Sequence, residues 1–417
     1  MKKQTIKFLT GNTLLDLVVG GAQHVFGFPV GKFINIVGDK SAGKTFLANE
    51  IIATAFHQFD KKKFRWIYDD CEAGYSFDTK AMYGFDILQE TENSTTVEEA
   101  FVNISNFADS LKTDQFGIYV LDSLDGLTSD EQDEQAEARI KAHNSGKNYD
   151  KGSYNVGKPK YLSREFFPQL CSVIQNKNIL VIIISQVREN IQPFSFEKYT
   201  RSGGKAMDFY AHTVLWLATL KKILKKEKSV GVVVKAKATK SKTPRPFRDC
   251  SFSIIFDYGI DDIGSNIDYL YELRTDKGQL THASKNIVWG GEEIKKQTLS
   301  ELKKWLLSKK LSKKIMDKNI GNANNAFEYF KLMNKKINLE NLIEYINSIP
   351  SLKEIYDFDF AGTGETLSRD ALIEHIEKNS LENQLIEKVI DKWESIEAEI
   401  ASKRKKRYAT IPKGNNE

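Results

Sequence analysis

Gly38-Asp39-Lys40-Ser41-Ala42-Gly43-Lys44-Thr45 matches G-x-x-x-x-G-K-S/T, the spacing of a phosphate-binding loop. An apolar stretch, Phe33-Ile34-Asn35-Ile36-Val37, precedes it and predicts a strand. Phe46, Leu47, Ile51, Ile52 and Ala55 follow at helical spacing, which predicts a helix over 44–58. Strand, glycine loop and helix in that order are the context the motif requires. The glycines let backbone N–H groups close around phosphate oxygens, and the helix N-terminus adds its positive end. Lys44 supplies charge for the β- and γ-phosphates, and the Thr45 hydroxyl is placed to ligate Mg²⁺. All eight residues are candidate nucleotide-binding positions, with ATP and Mg²⁺ the expected cofactors.

Outward from the loop, β-type runs alternate with helical patterns from 33 to about 256. Further strands are expected at 64–68, 117–121, 179–184 and 214–217, several of them continuous apolar runs suited to strands buried on both faces. Helices are expected at about 96–112 and 161–177, the first opened by a capping box, Thr96-Val97-Glu98-Glu99. This alternation implies an α/β fold with a doubly wound, mostly parallel sheet and ligands at the carboxyl ends of its strands. Runs at 231–237 and 251–256, joined by a basic turn containing prolines, read as an antiparallel hairpin extending the sheet. Two long stretches, about 128–160 and 188–205, read as functional or mobile loops. Past about 295 the pattern turns helical and Lys/Glu-rich. There Leu381, Leu385, Val389, Trp393, Ile396 and Ile400 form one apolar stripe, read as core. The expected organisation is a core over 1–290 and a small α-helical domain over 291–417 that ends in a basic tail, Lys403-Arg404-Lys405-Lys406-Arg407.

The chain has 417 residues, 41% hydrophobic and 28% charged, which excludes a disordered or membrane class and fits a soluble protein. No apolar run approaches a bilayer span, and the first residues lack the apolar stretch of a signal peptide. Cys71, Cys171 and Cys250 stand far apart, without metal or disulfide spacing, so a cytoplasmic protein is expected. A net charge of +5 does not by itself announce nucleic-acid binding. The runs 221–226 and 403–407 are local basic clusters that fit solvated faces equally well.

A phosphate loop needs a carboxylate near its metal, and Asp122, ending the apolar run 117–121, has that form. Hydrolysis also needs a base to orient water. Asp69, Asp70 and Glu72 follow the 64–68 strand at the same sheet edge, and spacing does not choose among them.

Over about 8–275 the chain resembles the RecA-type strand-exchange recombinases. The entry segment Leu9-Thr10-Gly11, Leu14-Leu15-Asp16, Gly20-Gly21 and Gly27-Phe28-Pro29-Val30-Gly31 is similar to the family's lead into its phosphate loop. Asp70-Cys71-Glu72 matches the family's Asp-x-Glu, which implies Glu72 as the base. Ser185-Gln186-Val187-Arg188 resembles Asn-Gln-Ile-Arg, whose glutamine senses the γ-phosphate and couples it to a DNA-binding loop, the role implied for Gln186. Gly203-Gly204-Lys205-Ala206-Met207-Asp208-Phe209-Tyr210-Ala211 resembles the string closing the family's second DNA-binding loop. Lys240-Ser241-Lys242 followed by Pro246-Phe247 resembles a segment whose two lysines reach the neighbouring protomer's ATP. The resemblance implies a DNA-dependent ATPase that acts on single- and double-stranded DNA as a homo-oligomer, a helical filament rather than a ring. Lys147, Lys151, Arg188, Arg201, Gly203, Gly204 and Lys205 are the expected DNA contacts.

The chain departs from the family in three places. Little chain precedes Leu9, where the family carries a polymerisation helix. Thr79 stands where the family has the aromatic that stacks on adenine, leaving Tyr75 or Phe77 as substitutes. The first DNA-binding loop, about 143–160, is long and rich in Lys and Tyr, a mix suited to backbone neutralisation and base stacking. The divergence and the unfamiliar tail point to a phage or mobile-element relative. Two other readings stand beside a recombinase: a ring-forming helicase or annealing protein of the same fold, and a nucleotide-switched loader with little turnover.

Overall fold

A computed structural model describes residues 7–20, 26–89, 92–145, 157–189, 199–243, 245–285, 287–289 and 366–404. The elements run β1 (Lys7–Phe8), α1 (Thr13–Gly20), β2 (Phe28–Pro29), β3 (Lys32–Gly38), α2 (Lys44–Gln58), β4 (Phe64–Asp70), α3 (Thr79–Tyr83), α4 (Val97–Ser110) and β5 (Phe116–Asp122). There follow α5 (Asp130–Asn144), α6 (Gly157–Tyr161), α7 (Phe167–Ile174), β6 (Ile179–Glu189), β7 (Tyr199–Arg201), α8 (Gly204–Tyr210), β8 (Thr213–Lys225), β9 (Lys228–Ser241) and β10 (Asp249–Ile255). The last are β11 (Gly259–Asp261), α9 (Asp262–Leu270), β12 (Ile287–Val288), β13 (Thr366–Leu367), α10 (Arg369–Asn379) and α11 (Glu382–Glu399).

One nine-stranded sheet organises them, in the order β11-β10-β9-β8-β3-β6-β5-β4 with β7 on β6. From β4 to β8 the pairing is parallel, and β9, β10 and β11 add antiparallel strands beyond β8. The continuous apolar runs are buried on both faces, with Ile179 through Ile184 fully enclosed. Helices α4 and α7 cover one face, where Phe33 stacks on Phe167 at 5.7 Å between centroids. The phosphate-loop strand β3 lies between β6 and β8, so whatever shifts either neighbour is felt at the loop.

Local chemistry accounts for most boundaries. Thr96 Oγ1 accepts the Glu99 amide at 3.2 Å and opens α4 as its capping box predicts. The helix expected over 161–177 is composite: a π-helical turn, Leu162–Phe166, joins α6 to α7. Pro168 follows that turn, and a proline without an N–H removes one of the bonds that would keep it α-helical. The stretch 128–160, read as a loop, opens instead with α5. The Ser129 amide donates to Gln132 Oε1 at 3.1 Å, acids fill the first turn, and Lys141 and His143 the last. Charge complementary to the helix dipole sustains α5, which has no buried residue and therefore no periodic stripe to reveal it.

The basic run at 221–226 is strand, not helix: β8 and β9 pair from Thr213↔Ser241 out to Lys225↔Lys228, a ribbon extending past the end of β3. The chain divides into two compact units, residues 1–280 with 380–417 and residues 281–379. In the first, α11 packs on α9, with Trp393 6.0 Å from Tyr269 and Lys392 Nζ donating to the Leu270 carbonyl at 3.0 Å. Its stripe is core at Leu385 and Val389, while Ile396 and Ile400 are exposed. In the second, β12 pairs with β13 and α10 follows. Among the described residues no helix is long and apolar enough to cross a membrane.

Candidate functional site

Gly38 ends β3 with Gln186 of β6 on one side and Leu217 of β8 on the other. A Cβ there would stand 2.7 Å from the Leu217 carbonyl oxygen, so the loop leaves the sheet through a gap only glycine fits. Gly43, at φ +87°, is the N-cap of α2 and turns successive amides toward the concavity above the loop. Lys44 Nζ donates to the Gly38 and Asp39 carbonyls at 2.9 Å each. Burial lowers its pKa, opposed by the carboxylates of Asp122 and Glu72. Thr45 Oγ1 donates to Asp122 Oδ2 at 2.9 Å, and the Tyr68 hydroxyl donates to the same oxygen at 2.6 Å. Burial raises the pKa of Asp122. A glycine cradle, a lysine at its mouth and a paired hydroxyl and carboxylate fit a nucleotide triphosphate with Mg²⁺, a hard cation that takes oxygen ligands.

The three acids past β4 have separate fates. Asp69 is buried, and its oxygens accept the Ser94 amide at 2.8 Å, the Ser94 hydroxyl at 2.6 Å and the Tyr119 hydroxyl at 2.6 Å. Asp70 is also buried and accepts the Tyr75 amide at 2.9 Å. Glu72 is exposed, and its Oε1 accepts the Gln186 side-chain amide at 2.7 Å and the Ser123 hydroxyl. Of the three, Glu72 is the carboxylate open to a water above the phosphate loop.

Gln186 ties this corner to the segment that follows. Its backbone amide donates to Asp125 Oδ2 at 2.7 Å, and Asp125 Oδ1 accepts the Ser202 hydroxyl at 2.6 Å. Beyond Ser202, Gly203 takes φ +82° as the N-cap of α8. Helix α8 then runs from this edge of the sheet to the opposite one, where the His212 amide donates to the Phe33 carbonyl at 2.9 Å. Lys240 and Lys242 meet it there. Lys240 Nζ donates to the carbonyls of Phe209, at 3.0 Å, and Ala211, and Lys242 Nζ to that of Tyr210 at 3.2 Å. Burial and the neighbouring Lys242 lower the Lys240 pKa to about 8. Both lysines therefore stand at the edge away from their own phosphate loop.

The expected DNA contacts separate. Lys205 and Gly204 are exposed at the start of α8, and a Cβ on Gly204 would meet nothing within 4 Å. Arg201 departs from its expected role: it is buried, its guanidinium 2.6 Å from Asp208 and 5.7 Å over the Trp216 ring. That charge is committed inside the protomer. The backbone of Arg188 lies in β6, paired with Thr200. Lys147 and Lys151 lie outside the described residues, as do 190–198 and 405–407.

A cavity of about 530 Å³ opens beside the loop, lined by Ser41 to Phe46, Phe77, Lys222, Ser229, Val232, Ile254 and Phe256. Phe77 meets Phe46 edge-on at 4.8 Å, and Phe256 lies 6.3 Å from Phe46. Of the two substitutes for the missing aromatic, Phe77 thus lines the cavity. Tyr75 is bonded to Asn49 Oδ1 at 3.0 Å, and Thr79 is buried with its hydroxyl accepting the Ile87 amide. Nothing in the sequence assigned Phe256, Lys222 or Ser229 to this site, because only the β8–β9 ribbon and the β10 end bring them here.

A RecA N-terminal domain family model matches residues 1–261. Protein RecA of Helicobacter pylori (strain P12) is 30% identical over 295 residues, covering 69% of this chain and 77% of its own. Protein RecA of Wolinella succinogenes is 28% identical over 290 residues, covering 69% and 76%. A solved RadB recombinase structure matches 61% of this chain and 98% of its own at 19% identity, with a TM-score of 0.41.

Proposed function

The chain belongs to the RecA family, and from that premise we propose that it is a DNA-dependent ATPase that assembles on single-stranded DNA as a helical filament and promotes homologous pairing and strand exchange. The observation that carries this reading is the path from Glu72 through Gln186 to Gly203 and α8. A plain ATPase needs the first residue; a nucleic-acid-gated one needs the rest.

Each residue then has a task. The Gly38–Thr45 loop and Lys44 bind the triphosphate, and Thr45 with Asp122 holds Mg²⁺, directly or through water. That cation, when bound, neutralises charge developing on the phosphates. Glu72 orients the attacking water and takes its proton. Gln186 responds to the γ-phosphate. The exposed start of α8, with Lys205, faces the DNA backbone, and a second strand can pair along the same path. Lys240 and Lys242, far from their own loop, act on the ATP of an adjoining protomer, so turnover depends on assembly.

Steady-state phosphate release with and without single-stranded DNA tests the proposal. Stimulation by DNA, lost in Lys44→Ala, supports it; a rate indifferent to DNA over a range of concentrations overturns it. Strand exchange between a circular single strand and a linear duplex then separates a recombinase from an ATPase that merely binds DNA.

A further inference from the structure

Asp125 lies in the turn after β5, outside every motif read from the sequence. One oxygen of its carboxylate holds the Gln186 amide at 2.7 Å and the other the Ser202 hydroxyl at 2.6 Å. Gln186 reaches Glu72 with its side chain at 2.7 Å. Ser202 directly precedes Gly203, the N-cap of α8. A single carboxylate therefore joins the residue that faces Glu72 to the start of the Gly203–Ala211 string.

We propose that Asp125 is a positioning residue that couples nucleotide occupancy beside Glu72 and Gln186 to the 199–204 segment. The inference rests on the ATPase reading above for the identity of the nucleotide.

Hydrogen bonds to a carboxylate are the stronger kind, and two oxygens on one carbon keep a fixed separation. Gln186 and Ser202 therefore cannot move independently while both bonds last. The turn itself is braced. Lys158 Nζ donates to the Leu124 carbonyl at 2.8 Å and to that of Leu127, and the Gly126 amide donates to the Ser123 oxygen at 3.0 Å. A Cβ on Gly126 would stand 3.1 Å from the Cys71 oxygen, next to Glu72. A phosphate oxygen or water that draws on Glu72 or Gln186 thus acts on a stiff turn, and the strain passes to Ser202. The rival route is the β6–β7 ladder, where Val187 pairs with Arg201. That ladder would carry the response with or without Asp125.

The test is amide hydrogen exchange on the full chain, with and without a slowly hydrolysed ATP analogue and Mg²⁺, in wild type, Asp125→Ala, Asp125→Asn and Ser202→Ala. Nucleotide should slow exchange at 38–45 in all four and change it at 199–204 in wild type. In Asp125→Ala and in Ser202→Ala the second response should shrink at least fivefold. The double variant should lose no more than either single. Asp125→Asn, which keeps an acceptor for Gln186, should retain part of it.

Persistence of the 199–204 response in Asp125→Ala, or its absence in wild type, overturns the proposal. Were Asp125→Ala to lose protection at 38–45 through misfolding, Ser202→Ala, which removes one hydroxyl, decides alone. Single-strand affinity is measured in parallel with the analogue and with ADP, and the ratio should approach one in Asp125→Ala. A wild type that binds no single strands but shows the Asp125-dependent exchange response would sink the functional reading and leave the coupling standing.

Discussion

The Gln186 side-chain amide donates to Glu72 Oε1 at 2.7 Å, across the gap between the ends of β4 and β6. The Ser123 hydroxyl falls on the same oxygen, which leaves Oε2 for a water, the arrangement the proposed base requires. Glu72→Gln should therefore retain nucleotide binding and lose roughly 10²- to 10⁴-fold in turnover, the usual cost of a missing general base. Lys44→Ala should lose binding itself. A fluorescent nucleotide titration beside a phosphate-release assay reads both. Rapid turnover by Glu72→Gln would move the role to Asp69 or Asp70, the other two acids past β4.

Asp69→Asn should behave differently. Its carboxylate satisfies Ser94 and Tyr119 in the interior, so the loss appears as stability, about 1–3 kcal/mol in a denaturant titration. Unchanged stability with lost turnover would contradict that reading.

Action across a protomer boundary predicts complementation. The double variant Lys240→Ala, Lys242→Ala should stay folded and lose DNA-stimulated hydrolysis, and mixing it with Glu72→Gln should restore part of the rate. The Lys240 pKa of about 8 adds a sign: the ammonium is present below that pH and lost above it. That value belongs to the seat on the α8 carbonyls of a free protomer, so the rate of assembly from free protomers should fall between pH 7 and 9, and Lys240→Arg should remove that alkaline limb. A mixture as inactive as its components ends the argument.

Single-strand binding should weaken with salt by about 0.7 log units per neutralised phosphate per log unit of salt. Lys205→Ala should flatten the slope by roughly one such contact. Arg201→Gln should instead lower stability, because its guanidinium serves Asp208 and Trp216. Competition between salt titrations of the two variants separates the cases.

Stability should depend on pH through buried groups near the amino-terminal segment. Burial raises Asp16 to about 8 and Glu50 to about 7, and lowers His212 to about 4. An acid that keeps its proton only when folded stabilises at low pH and loses that advantage as pH rises through its folded pKa. His212 works oppositely, losing stability as pH falls from 6.5 toward 4. The two effects oppose one another below 6.5. Above it only the acids act, with up to about 1.4 kcal/mol per pH unit for each proton. The thermal midpoint should fall between pH 6.5 and 8, and Asp16→Asn should flatten the decline.

The parallel half of the sheet was legible because the middles of β3, β5 and β6 are buried on both faces and run apolar apart from Asn35. The strand, glycine loop and helix around Gly38–Thr45 and the acid ending β5 were legible because strand ends at one sheet edge have few chemical solutions, whereas spacing left Asp69, Asp70 and Glu72 open and only the family resemblance singled out Glu72. Helix α5 escaped because charge rather than an apolar stripe sustains it. The outer part of β8 escaped because Lys221, Lys222 and Lys225 face solvent, leaving no alternation to read. The burial of Arg201 depends on Trp216, which reaches it only through the sheet. Asp125 had no signal because its partners arrive from far along the chain, Gln186 on β6 and Ser202 in the turn after β7.

The lysines seated on the α8 carbonyls carry one last implication. A solitary protomer keeps Lys240 and Lys242 bonded to its own Phe209, Tyr210 and Ala211 oxygens. To serve an adjoining ATP they must abandon those acceptors, leaving a helix end uncapped. Sparse protomers thus have reason to stay silent, and only crowding along a strand makes the exchange worthwhile. Onset of activity should then be a threshold in protein density on DNA, with a lag that shortens as lattice sites fill.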